Sequence, residues 1–483
     1  MKTPQGRALH TDLYQLTMMQ TYVKQGLHHR RGVFDMFFRE LPFGNGYAVF
    51  AGLQHILDYV TGLEFSPEDL EYLKKKGFSK EFRDYLMDFR FTGDIYSVSE
   101  GEIIFPNEPV VTVVATIMEA MLIETALLNI FNHETLIATK ASRIKQVVGS
   151  KPIAEFGARR GHGLDASLYG SRAAYIGGFD GTSLVAAGKA FDIPIVGTMS
   201  HAFIQSFPDE LSAFMAYGRE NAGNVVLLVD TYNTLKSGIP NVIAAAGSLA
   251  AQGITVDAVR LDSGDLAYLS KESRRLLDDA GFREIKILAS NDLDENLIME
   301  LEMQGAQIDR YAVGTKLITA YDQPALGGVY KLVGIEQDGE IIPKIKISDD
   351  IKKIVNPGRK QLYRIINPYT QKAEADYLTC HDENFPLSGR NLVLFDPIDI
   401  WKRKTVKTYE AIPLHRQVVT KGKPCLPPVS LEEIRSYAAT ALNRFWSEHK
   451  RKTNPQDYPL DLSVQLWNTK NQLISEIRSH YED

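Results

Sequence analysis

The chain has 483 residues, 44% hydrophobic and 24% charged, the balance of a globular protein of roughly three domains rather than a disordered or fibrous chain. Lys+Arg 54 against Asp+Glu 60 leave a formal charge of -6. That balance argues against sequence-independent nucleic-acid binding, which needs clustered positive charge, but leaves room for a local basic pocket.

Residues 12–24 read as a helix entered through Thr11 or Asp12. Short strands are expected at 32–38 and 46–50, a polar helical stretch at 66–84, a Val- and Ile-rich strand segment at 103–115 and a long buried helix at 120–140. From about residue 150 the rhythm changes, and short apolar strands alternate with Ala- and Leu-rich helices. The strands are expected at 152–156, 175–179, 193–196, 225–229, 258–261, 285–289 and 311–313, with helices at 181–190 and 242–252 among the connections. Repeated strand-then-helix units imply a parallel sheet with helical crossovers. Seven or eight such units close as a barrel with its chemistry at the C-terminal strand ends; an open doubly wound sheet is the competing topology. After about residue 335 the periodicity is lost, until a helix at 430–450 behind Pro427-Pro428 and another near 462–479.

Two cysteines, Cys380 and Cys425, cannot form a disulfide framework, and no Cys/His cluster has zinc spacing. The N-terminus lacks the apolar core of a secretory signal. The uncharged stretch 237–256 holds Pro240, Asn241 and Gln252, and the apolar run 109–131 is interrupted by Glu119 and Glu124, so neither is expected to span a membrane. A cytoplasmic protein is expected.

The strand ends carry the polar residues: EFGARRGHG, GGFDGT, VGTMSH, LVDTYN, RLDSGD, LASND and AVGTKL. Polar turns follow any strand, but this run exceeds what turn chemistry requires and points to one shared site. Arg260 and Asp262 are two apart on a strand and share a face. The guanidinium can hold an anion in bidentate fashion, and the carboxylate can accept from sugar hydroxyls or bind magnesium. The plainer alternative is a structural ion pair. Gly314 and Thr315 stand where backbone amides can cradle a phosphate, with Lys316 adding charge. His201, past a strand end among small hydroxyl residues, can be a general base or a nucleophile. His162, between glycines, is its rival. Arg159 and Arg160 suit a carboxylate or phosphate, or are a surface pair; Glu155 and Asp230 are further carboxylates. No Walker A or GxGxxG turn occurs. These residues describe a β/α enzyme for an anionic, phosphorylated substrate without defining its reaction.

TDLYQLTM at 11–18, EFGARRGHG at 155–163, GTMSHAFIQSF at 197–207, VRLDSGD at 259–265, VGTKL at 313–317 and KISDDIKKIVNPGRKQLYR at 346–364 together resemble the nicotinate phosphoribosyltransferases, in order and over nearly the whole chain. The resemblance implies an α/β fold: an N-terminal α/β domain over 1–140, an irregular TIM-like β/α barrel over 141–335 carrying the site, and a C-terminal region over 336–483 packed on the first. It implies transfer of the 5-phosphoribosyl group from 5-phosphoribosyl 1-diphosphate to nicotinate, the first step of NAD synthesis from nicotinate. It further implies Mg2+, ATP as co-substrate hydrolysed through a phosphohistidine at His201, and a homodimer in which Tyr14 crosses into the neighbouring site. By the same resemblance Asp262 holds ribose hydroxyls or a magnesium-linked water, and Gly314 and Thr315 bind the 5-phosphate. Phe156 and Tyr14 sandwich the pyridine ring, Arg260 and Thr198 face its carboxylate, and Arg159 also serves the substrate. Asp230 and Asp292 are second-rank polar candidates. GGFDGTSLVAAG at 177–188 resembles a segment of nicotinamide phosphoribosyltransferases that has aspartate in place of Ser183. Ser183 is therefore expected to select acid over amide, unless it merely caps the helix beginning near Leu184. A nicotinamide-using enzyme is the nearest alternative; a Schiff-base aldolase using Lys316 and a binding-only protein are more distant ones.

Overall fold

The computed structural model describes residues 7–348 and 353–482. They form two compact units, one spanning Lys140–Pro324 and the other combining Met1–Thr139 with Ala325–Asp483.

The Lys140–Pro324 unit is built on a six-stranded parallel sheet. Its order is Gly181–Thr182, Ile153–Glu155, Arg310–Val313, Lys286–Ala289, Ala258–Leu261 and Val226–Leu228. The strands are short and mainly apolar, as expected of parallel strands covered on both faces, with Glu155 and Arg260 as charged exceptions near their C-terminal ends. Ile195, in the expected strand 193–196, makes only a single parallel bridge to Thr182. The neighbour order is that of a ring cut between Ile195 and Val226. Among the described residues no backbone pairing closes that gap, so the sheet is a curled parallel half-barrel in a mixed α/β unit.

The strand expected at 175–179 is not formed. The helix Leu164–Ile176 runs through those apolar residues, the chain turns at Gly177 and Gly178, and the strand is Gly181–Thr182. Gly170 to Ile176 are all buried at the helix end, and a short apolar run bounded by glycine reads alike as buried helix or buried strand. The following helix begins at Val185, with Leu184 as N-cap and no side-chain cap, so Ser183 does not perform the capping role considered for it.

The sheet's polar exits are followed by capped helices. Ser200 accepts from the Phe203 amide at the start of His201–Gln205, Asp265 from Tyr268 at Leu266–Asp279, and Asp294 from Asn296 and Leu297 at Glu295–Met303. Each cap satisfies an amide that the first helical turn leaves free and fixes the direction of the chain leaving the strand.

In the other unit a seven-stranded sheet places Arg31–Phe38 between Gly328–Gln337 and Val111–Thr116, antiparallel to both. The region in which periodicity is lost holds a five-stranded sheet: Ser388–Phe395, Arg403–Pro413, Lys360–Ile366, Ala373–Cys380 and Leu460–Leu462. Buried charge hides it from a hydropathy reading. Arg364 lies fully buried in the middle of a strand, bonded to both Asp376 oxygens at 2.9 and 2.7 Å, to Glu102 at 2.5 Å and to the Ile103 carbonyl at 2.7 Å. Paired in this way the guanidinium replaces its lost water, and the strand tolerates it. Among the described residues no helix is long and apolar enough to cross a membrane.

Candidate active site

Arg260 is the next-to-last residue of the strand Ala258–Leu261, and Asp262 follows the strand. Arg260 Nη2 donates to Asp262 Oδ1 at 2.8 Å, Nη1 to Thr198 Oγ1 at 3.0 Å and Nε to Ser290 Oγ at 2.9 Å. Its guanidinium also lies 5.8 Å from the centre of the Phe156 ring. One arginine therefore ties together four strand exits, carrying Phe156, Thr198, Asp262 and Ser290. With each nitrogen already donating once, two of its five N–H groups remain for an incoming anion.

His201 stands across from this group. Its Nδ1 lies 3.1 Å from Thr231 Oγ1, while Nε2 faces Asp262 Oδ2 at 3.9 Å and Asp230 Oδ1 at 4.0 Å. The imidazole remains accessible, with 43% of its side chain exposed. Asp230, beyond the strand Val226–Leu228, accepts at Oδ2 from the Asp262 amide at 3.0 Å and from Ser263 Oγ at 2.5 Å. Its Oδ1 is buried without a hydrogen-bond partner. A buried carboxylate oxygen aimed at an accessible imidazole is an acceptor waiting for a donor or a cation.

The exit of Ile153–Glu155 is shaped by Glu155, fully buried and accepting from the Gly157 amide, from Thr182 Oγ1 at 2.6 Å and from Ser171 Oγ at 2.9 Å. Burial raises the Glu155 carboxyl above its ordinary range, against those three donors. The group fixes the turn that presents Phe156 and Gly157. Ser183 donates its amide to the Glu155 carbonyl at 2.8 Å, which sets it beside the same exit. Gly314 follows Arg310–Val313, and Thr315 opens the short helix Thr315–Ile318. Lys316 Nζ contacts Asp294 Oδ2 at 2.8 Å. That hydrogen bond raises the Lys316 pKa, and although burial opposes it, the Leu297 amide and Lys316 hold the Asp294 carboxyl below its usual range. Lys316 is thus an ion-paired neighbour of the cradle and a poor Schiff-base amine.

A cavity of about 190 Å³ meets Phe156, Gly197 and Thr198 at one end and runs along the sheet to the strand starts at Pro152, Asn224 and Arg310; His201, Asp230, Arg260 and Asp262 are not in its lining. A larger one, about 660 Å³, lies in the other unit beside Arg39, Lys360 and Trp467. The convergence of charged strand exits around Arg260 and Asp262, not the volume of either cavity, marks the site.

The fold thus brings together Phe156, Thr198, His201, Asp230, Arg260 and Asp262. Ser183, Gly314 and Thr315 lie on adjoining exits of the same sheet. Arg159 is exposed in the turn Ala158–Arg160, and His162 is also exposed. Asp292 is exposed in a turn where Asn291 and Asp292 both have positive φ, 89° and 39°. Tyr14 lies on the helix Leu13–Lys24 of the other unit, half exposed. Sequence reading singled out neither Ser290 nor Thr231, although LASND and LVDTYN had marked their exits. The motif 346–364 falls partly outside the described residues, at 349–352.

Family models match along the chain: the nicotinate phosphoribosyltransferase N-terminal domain over 9–132, the nicotinate phosphoribosyltransferase family over 152–386 and the corresponding C-terminal domain over 359–470. The chain is 49% identical over 477 residues to the nicotinate phosphoribosyltransferase of Bacillus subtilis (strain 168), covering 99% of this chain and 97% of that protein. It is 36% identical over 518 residues to that of Dictyostelium discoideum, covering 96% and 87%. The crystal structure of human nicotinic acid phosphoribosyltransferase superposes with a TM-score of 0.84 at 28% identity, over 96% of this chain and 99% of that one.

Proposed function

The chain belongs to the nicotinate phosphoribosyltransferase family, and on that premise we propose how its site carries the reaction and what accompanies it. The enzyme converts nicotinate to nicotinate mononucleotide in NAD salvage. The donor is 5-phosphoribosyl 1-diphosphate. The pyridine nitrogen forms a bond to C1 of the ribose as the bond from C1 to the diphosphate oxygen breaks, and the electron pair leaves with diphosphate. The transition state is oxocarbenium-like, so the site must align the nucleophile and stabilise a departing polyanion.

The observation that carries this reading is the constellation of Arg260, Asp262, His201 and Asp230 over one sheet edge. Asp262 Oδ2 faces the open side and is suited to accept from ribose hydroxyls. The spare N–H groups of Arg260, with Thr198, suit the nicotinate carboxylate, and the Phe156 ring suits one face of the pyridine. The Gly314 and Thr315 backbone suits the 5-phosphate, and exposed Arg159 adds positive charge. Asp292 is a further polar candidate at the rim.

Magnesium fits the donors present. Asp262 Oδ2 and the unpartnered Asp230 Oδ1 are hard oxygen ligands converging on one space. Among the described residues no group of three or more His, Cys, Asp or Glu could hold an ion by itself, so water and substrate oxygens would complete the shell. When bound, the ion neutralises charge on the leaving group. ATP phosphorylates His201, an ATP-coupled ligase activity, and hydrolysis of the phosphohistidine drives the transfer. The enzyme works in the cytoplasm as a homodimer, Tyr14 of each protomer completing the other's site. Mixing inactive Tyr14→Ala and Asp262→Ala chains should restore part of the activity, and no recovery after subunit exchange would exclude the shared site.

The deciding measurement is diphosphate release with nicotinate, nicotinamide and quinolinate in parallel, with and without ATP. Release with nicotinate, raised by ATP, is expected. Preference for nicotinamide would move the chain to the amide-using relatives, and donor binding without release would make it a binding protein.

A further inference from the structure

Ser290 follows the strand Lys286–Ala289 and is 3% exposed. Its amide donates to the Leu261 carbonyl at 2.9 Å, so the backbone there is anchored without help from the side chain. The hydroxyl is therefore free for another task. It accepts from Arg260 Nε at 2.9 Å and donates to Asp262 Oδ1 at 2.5 Å, with the Leu261 carbonyl a longer alternative acceptor at 3.3 Å. Arg260 Nη2 reaches the same Oδ1 at 2.8 Å. Arginine, serine and aspartate thus close a ring of three hydrogen bonds. Both lone pairs of Oδ1 are taken up within the protein. Oδ2 is turned the other way, toward His201 Nε2 at 3.9 Å.

We propose that Ser290 is a positioning residue that divides the two oxygens of Asp262, assigning Oδ1 to the protein and Oδ2 to the substrate side. A pairing of Arg260 with Asp262 alone leaves the carboxylate free to rotate about its last bond and exchange its oxygens. A third contact arriving from a separate strand fixes the plane of the carboxylate and, through Nε, that of the guanidinium. The same hydroxyl thereby holds the spare N–H groups of Arg260 in one direction. This rests on the reading of Asp262 as the group that meets the ribosyl donor.

The test is a double-mutant cycle in the full-length enzyme: wild type, Ser290→Ala, Asp262→Asn and the double variant. kcat and both KM values are read from diphosphate release, with Asp262→Asn assayed at enzyme concentrations that measure its residual turnover. Thermal midpoints are recorded for all four. Removing a partner that orients a functional ligand lowers activity roughly ten- to hundredfold, so that loss is expected in Ser290→Ala, mostly in kcat, with the thermal midpoint little changed. In the Asp262→Asn background the serine substitution should have almost no further effect, because it acts through that carboxylate. Wild-type kcat in Ser290→Ala would overturn the proposal. So would a loss that multiplies undiminished onto Asp262→Asn, or one confined to nicotinate KM. Full activity of Asp262→Asn would instead remove the reading of Asp262 on which the proposal stands.

Discussion

Gly157 and Gly314 approach so closely that neither has room for a side chain: a Cβ on Gly157 would stand 2.7 Å from the Gly314 carbonyl oxygen, and one on Gly314 would stand 2.9 Å from that of Phe156. Both have negative φ, −97° and −116°, so the requirement is steric. Ile153–Glu155 and Arg310–Val313 are paired neighbours in the sheet, and the missing side chains let their exits stay together beyond the last strand residues. Gly157→Ala must push the Phe156 turn from the proposed phosphate cradle. Overpacking of this kind costs about 1–3 kcal/mol. We expect a lowered thermal midpoint and a raised KM for the phosphoribosyl donor. Gly247, on the helix Ile239–Ala250 with nothing within 4 Å of a built Cβ, is the control, since Ala there should be neutral or stabilising. An unchanged donor KM in Gly157→Ala would show that the close approach does not serve the phosphate.

His201 should acquire phosphate from labelled ATP. A phosphoramidate at imidazole is labile in acid and stable in base, so the label should show that pattern. His201→Asn should lose both label and ATP hydrolysis while keeping slow ATP-independent transfer, because the bond exchange at C1 involves no histidine. Persistent labelling of the Asn variant would place the phosphate elsewhere.

The groups that converge on the site were legible because polar or glycine residues end short apolar runs there: Arg260 and Asp262 after AV, GTMSH after IPIV, Gly314 after AV. What stayed hidden depends on distance along the chain. Ser290 matters only because Arg260 and Asp262 are beside it, 30 and 28 positions away in sequence. The strand Lys360–Ile366 was hidden because Lys360 and Arg364 are buried by pairing with Asp35 and with Asp376 and Glu102. A hydropathy pattern counts such residues as exposed. The helix end at Tyr175-Ile176 was misread because burial on all sides erases periodicity.

Ser183 should decide between acid and amide. The Leu184 amide donates to Thr182 Oγ1 at 3.0 Å and the helix Val185–Phe191 has no side-chain cap, so the Ser183 hydroxyl is not consumed in capping and can donate to a carboxylate. Ser183→Asp would set a second negative charge against nicotinate, a contact that costs several kcal/mol when desolvated. kcat/KM for nicotinate should fall by at least roughly tenfold relative to that for nicotinamide. An unchanged ratio in a folded, active variant would end the selector role.

Asp461 should make the protein more stable in mild acid than at neutral pH. It lies in the short strand Leu460–Leu462, paired with Tyr377 and 4% exposed. Burial, reinforced by the negative charge of Asp396 and only partly offset by Lys404, pushes its carboxyl from 3.8 up to about 7. Between those two values the folded chain holds a proton that the unfolded chain has released. Stability therefore falls as pH rises from about 4 to about 7 and levels off above, the reverse of an aspartate that gains a cation on folding. Asp461→Asn keeps the shape and removes the titration. Thermal midpoints of both proteins at pH 5 and pH 8 make the comparison. The asparagine variant should gain at pH 8 and change little at pH 5, narrowing the wild-type difference by a few degrees. An equal pH dependence in the two proteins would mean that Asp461 ionises in the fold as it does in the open chain.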